Sequence, residues 1–88
     1  MTISDIKSGA VVQHFKRELL SDEEKRGNMY LYEILNIAVH TETEEELVVY
    51  KALYGDRKVY ARPLGMFLSG VDRDKYPHIK QKYRFETI

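Results

Sequence analysis

The sequence predicts a mainly β protein, a small SH3-like barrel of about five antiparallel strands with one or two short helical turns. Three observations carry that expectation. Residues 30–54, YLYEILNIAVHTETEEELVVYKALY, show two period-two stretches joined by an acidic turn. Further short β-rich runs lie between Gly, Pro and Asp signals. At 88 residues the chain has material for one core, since a chain this short buries only about 60–65% of its unfolded surface.

Taken in order, residues 1–8 carry little pattern and are expected to fray. Ala10 to Lys16 reads as a first strand anchored by Phe15. The stretch 18–29 is a surface excursion, in which Ser21-Asp22-Glu23-Glu24 forms a capping box opening a helical turn that Gly27-Asn28 ends. In the central hairpin Leu31, Leu35, Ile37 and Val39 form one aliphatic row and Leu47, Val49 and Leu53 another. A helix over 42–54 competes for this stretch through its glutamates, but the β-branched and aromatic residues favour strand. If the two rows share the buried face, tyrosines, Asn36 and His40 gather on the other. Val59 to Arg62 is a short strand halted by Pro63. Leu64 to Leu68 is a single helical turn burying Met66 and Phe67, and Lys80 to Thr87 closes the sheet with Tyr83 and Phe85 on one face. Closure is favoured because it removes exposed edges, with an open antiparallel sheet as the alternative.

Composition narrows the function classes. The absence of cysteine excludes a disulfide framework and a thiolate zinc site, which suits a reducing compartment. The start, MTISDIKSGAVV, lacks the layout of a signal peptide, and no apolar run approaches the roughly 20 residues that span a bilayer. The expectation is therefore a cytoplasmic protein with no membrane partner. Net charge is zero, which argues against a general nucleic-acid binder. The charge is nevertheless divided: residues 1–46 hold 10 acids against 5 Lys/Arg, and residues 47–88 hold 4 against 9. Interleaving of the halves in one domain accounts for this, with head-to-tail self-association as the sharper alternative.

The candidate ligand-binding set is Tyr32, Asn36, His40, Tyr50, Tyr54, Tyr60 and Arg62. Aromatic rings offer flat apolar area with a polar rim, while Asn, His and Arg supply donors of fixed geometry. Arg62 can hold a carboxylate or phosphate by two parallel hydrogen bonds. The plainer reading has the tyrosines capping the outer face and Arg62 paired with an acid of the 42–46 run. A compact polar ligand or a peptide is the expected partner. The alternative is nucleic acid held by Lys75, Lys80, Lys82, Tyr83 and Arg84, where cations track phosphates and rings stack bases. A closing strand with solvated lysines explains the same residues. Catalysis has little support. His40 lies near Thr41 and Thr43, but no motif supplies an oxyanion hole. The HTE triplet lacks the P-C-x-x-C partner of zinc deaminases, and His14, His40 and His78 have no metal-ligand spacing. No metal or cofactor is expected, and the reading leans against an enzyme.

The runs His14-Phe15-Lys16, Tyr32-Glu33-Ile34-Leu35, Ile37-Ala38, His40-Thr41-Glu42-Thr43, Leu47-Val48-Val49-Tyr50, Ala52-Leu53-Tyr54-Gly55, Arg62-Pro63 and Met66-Phe67 closely resemble small bacterial proteins grouped as domain of unknown function 1653. The ending, with KYP and KQKYRF, is similar to a branch of that family in Gram-positive bacteria and their phages. The resemblance covers nearly the whole chain and implies a compact β-rich, stand-alone bacterial protein. It implies no activity, and it does not extend to the long excursion after the first strand.

Overall fold

In a computed structural model describing residues 1–88, the alternating stretches become strands β1 (Val11–His14), β2 (Leu31–Val39), β3 (Glu46–Ala52), β4 (Val59–Pro63) and β5 (Phe85–Thr87). They form one antiparallel sheet in the order β4-β3-β2-β1-β5. β4 and β5 are its two margins and do not pair with each other, so the sheet is open where the sequence predicted closure. A short helix α1 (Leu64–Phe67) follows β4 directly. Segment 68–84 then returns to the far margin through turns and a Gly70–Tyr83 bridge. Three 3₁₀ turns, Ile3–Asp5, Phe15–Leu19 and Glu24–Arg26, complete the chain.

The buried face differs from the expected one. Tyr32, Ile34, Val48, Tyr50 and Ala52 lie inside with Val12, Phe67 and Phe85. Leu31, Leu35, Leu47, Val49 and Leu53 are only partly buried and belong to neither core cluster. Two physical reasons account for this. A β-bulge between Ile34 and Asn36 inserts one residue, so Ile34 faces Tyr50 while Ile37 faces Val48. The inward row of β2 thereby changes from even to odd numbers part-way along, and no single alternating row describes it. The aromatic face also buries more: Phe67 stacks on Phe85 at 4.3 Å between centroids, and Tyr50 meets both edge-on at 5.3 and 5.4 Å. Such pairs add about 0.5–1.5 kcal/mol each beyond area burial. The phenols on this face reach partners, which makes their burial tolerable.

Other local expectations are met or displaced for identifiable reasons. Ser21 and Glu24 form the reciprocal capping box, at 3.0 and 3.2 Å. Arg17 ties the excursion down through the Met29, Lys25 and Gly27 carbonyls. Residues 1–8 do not fray into solvent: Ile6 enters the core and Met1 packs against it. Phe15 is buried as expected, but past the end of β1, in a second cluster with Val71 and Ile79. Of the α1 pair, Phe67 is fully buried and Met66 is exposed, because a helix of one turn presents a single residue to the sheet. The last strand is only Phe85–Thr87. Before it, the Glu18 carboxylate accepts the Lys80 and Gln81 backbone N–H groups at 3.0 and 2.6 Å, which draws that part of the tail off the sheet.

Candidate functional site

Strand register brings part of the expected ligand set together. Tyr50 lies opposite Tyr60, and Val48 opposite Arg62, so Tyr50, Tyr60 and Arg62 share one side of the β3–β4 ribbon. Tyr32 lies opposite Ala52 on the same side. The Tyr32 and Tyr54 phenols share a hydrogen bond of 2.8 Å, and Arg62 Nε donates to the Tyr50 phenol at 3.2 Å. These residues therefore gather on the core face, at its rim, and not on the outer face that the sequence suggested. Burial pushes the Tyr32 phenol pKa upward, and the Tyr54 hydrogen bond adds to that shift.

Two members of the set are elsewhere. Asn36 sits in the bulge opposite Val49, away from Tyr50, where its Oδ1 accepts the Ile37 N–H at 2.8 Å. His40 follows β2 as part of the acidic turn, its Nδ1 accepting the Glu42 and Thr43 N–H groups at 3.1 and 3.3 Å. Asn36 thus serves the bulged strand locally, and His40 the turn.

The sheet curls so that its margins approach. The Arg62 guanidinium of β4 stands 5.9 Å from the ring centre of Phe85 on β5, although these strands end the sheet on opposite sides. In this seam lies a hollow of about 250 Å³ lined by His14, Lys16, Tyr30, Tyr32, Tyr50, Tyr60, Arg62 and Phe85. Tyr60 is its exposed platform. Tyr30 enters with a left-handed backbone, φ 66°. A non-glycine residue rarely adopts this conformation, and such strain concentrates at functional sites.

His14, Lys16, Tyr30 and Phe85 were missing from the sequence-derived set. His14 and Phe85 face each other across β1 and β5, a pairing between chain ends that no local pattern encodes. The His14 Nδ1 accepts the Lys16 N–H at 3.1 Å, so the neutral ring carries its proton on Nε2. No buried polar side-chain atom lacks a partner, and Nε2 makes no hydrogen bond, so that donor edge reaches the surface, where His14 lines the hollow and the cleft beside it. Burial holds the His14 pKa down at about 4, and the positive charges of Lys16, Arg84 and Arg62 push in the same direction.

The alternative nucleic-acid set is dispersed. Lys75 and Arg84 line a cleft next to the hollow, whereas Lys80 lines a separate polar recess with Glu18 and Glu86. Lys82 lies over the Tyr83 ring at 5.3 Å, and Tyr83 is held by its bridge to Gly70.

Fold and site together define a small all-β protein with one aromatic and cationic hollow at the seam of an open sheet. A family model described as "Protein of unknown function (DUF1653)" matches residues 10–87, and the chain belongs to that family. No curated protein and no solved structure gives a significant match.

Proposed function

We propose that the protein is a non-enzymatic, cytoplasmic bacterial binding module that holds a compact polar ligand, or the side chain of a peptide, in the Tyr/Arg hollow. One observation carries this reading: Tyr32, Tyr50, Tyr60 and Arg62 converge with His14 and Lys16 on a single concavity. It combines aromatic walls with a few directed donors, the composition of small-ligand sites. The strand order, with a helical turn between β4 and β5, supports reading the fold as an SH3-like barrel left open at the seam. The hollow then occupies the place where closure would occur. The scatter of the tail cations weighs against the nucleic-acid alternative.

The test is a thermal-shift screen of small carboxylates, phosphates and short acidic peptides, run on the parent and on a Tyr60→Ala/Arg62→Ala variant. A ligand at about 100 times its Kd stabilises by roughly 2.7 kcal/mol, which is readily seen as a raised melting temperature in the parent. The variant is expected to lose that response. A folded variant that keeps every response of the parent refutes the site.

A further inference from the structure

The cleft beside the hollow has a different chemistry. It measures about 310 Å³ and shares His14, Lys16 and Arg62 with the hollow as a common wall. Lys75 and Arg84 line it as well. Four cationic side chains thus converge on one concavity, and their hydrogen bonds leave them available. Arg84 spends Nε on Ser69 Oγ at 3.2 Å, Arg62 spends Nε on the Tyr50 phenol, and no carboxylate accepts from either guanidinium. The carboxylate of the cleft, Asp72, turns its Oδ1 to the Asp74 and Lys75 N–H groups at 3.0 and 3.3 Å. Four cations around a single carboxylate leave the recess with a net positive charge, and a shaped cationic recess favours an anion.

We propose that hollow and cleft are two halves of one site for a small aromatic phosphomonoester of nucleoside-monophosphate type, with the ring against Tyr60 and Tyr30 and the phosphate among Lys16, Arg62, Lys75 and Arg84. The inference rests on the hollow being a ligand site, as argued above, and adds the ligand's class. Small-molecule sites run about 300–1,000 Å³, so the joined compartments suit one compact ligand. Guanidinium forks match phosphate oxygens in pairs, and a tyrosine face accepts a base by stacking. Arg62 stands between the halves and belongs to both. A free nucleotide is favoured over a strand because the four cations of the cleft are not continued by Lys80 and Lys82, which lie elsewhere, and the whole chain is neutral. A strand needs a basic track that continues along the backbone.

The experiment is an NMR titration of the labelled protein with the four common nucleoside 5′-monophosphates, each paired with its nucleoside, together with inorganic phosphate and an octauridylate strand. The expected result is that at least one monophosphate binds ten or more times tighter than its nucleoside, moving amide signals of both β1 and β4. Arg84→Gln and Lys75→Gln, which lie outside the hollow, should each erase most of that tenfold advantage while leaving nucleoside binding unchanged. Monophosphate and nucleoside binding equally would overturn the phosphate half and leave the hollow standing. Arg84→Gln and Lys75→Gln weakening both ligands alike would do the same. Failure of all four monophosphates at millimolar concentration would overturn the nucleotide class, whereas the hollow itself is judged by the wider screen. An octauridylate that binds far tighter than any monomer, with steep salt dependence, would replace the free nucleotide by a strand.

Discussion

His14 is an uncharged ring at neutral pH, because burial removes its water and Lys16, Arg84 and Arg62 repel an added proton. The unfolded chain takes up that proton near the ordinary 6.5, whereas the folded protein resists until about 4. Between those values the unfolded state binds more protons, so stability falls as pH falls through this window. The contribution is complete above 6.5 and exhausted below about 4. Replacing the ring by an amide isolates it, since the Asn oxygen can still accept the Lys16 N–H. Melting temperatures followed from pH 7 to 4.5 should fall less steeply in His14→Asn than in the parent. Parallel slopes would mean that the carboxylates alone, among them Asp5 and Glu24 with their lowered pKa values, drive the acid response.

At the scale of the strand, the bulge decides which side chains are core. Val48 is fully buried and its neighbour Val49 is not. Val48→Ala should therefore cost about 2 kcal/mol or more through transfer and cavity terms, and Val49→Ala well under 1 kcal/mol. Urea denaturation of the two variants checks this, and equal losses would contradict the assigned face. The same element shows how far sequence reasoning reached. The existence of the strands, the acidic turn, the capping box and the placing of Tyr50 and Arg62 on one side of the sheet, though not which side, follow from periodicity and turn chemistry. The choice of buried side did not follow, because the aliphatic and aromatic rows are both plausible cores and a one-residue insertion at Leu35–Asn36 makes parity misleading. His14 and Phe85 were invisible as site residues because their partnership depends on the first and last strands meeting. Asn36 and His40 stand apart from the other members: Asn36 accepts its neighbour's N–H inside the bulged strand, and His40 bonds the acidic turn.

At the scale of the molecule, one core runs from near the first residue to the last strand. Ile6 and Phe85 belong to the same cluster, and Gly9 N–H donates to the Ile34 carbonyl at 2.8 Å. The family match begins at residue 10, yet the preceding residues contribute to stability here. A chain lacking residues 1–8 loses the Ile6 burial, about 2 kcal/mol, and should melt on the order of 10 °C lower. Calorimetry decides the point, and an unchanged transition would make that segment an ornament. The opposing charges of the two halves also meet within this single unit. Glu18 from the acidic half fastens the tail at Lys80 and Gln81, so the imbalance along the sequence does not require a second copy.

The approach of Arg62 to Phe85 across two unpaired strands has a mechanical consequence. The margins have no ladder directly between them, and their only backbone ties are the bonds joining 69–71 to 82–84 beside them, so whatever lodges in the seam acts as a further clasp. Occupancy should then slow amide exchange along both outermost ribbons at once, while the central ones, already latched by their neighbours, hardly change.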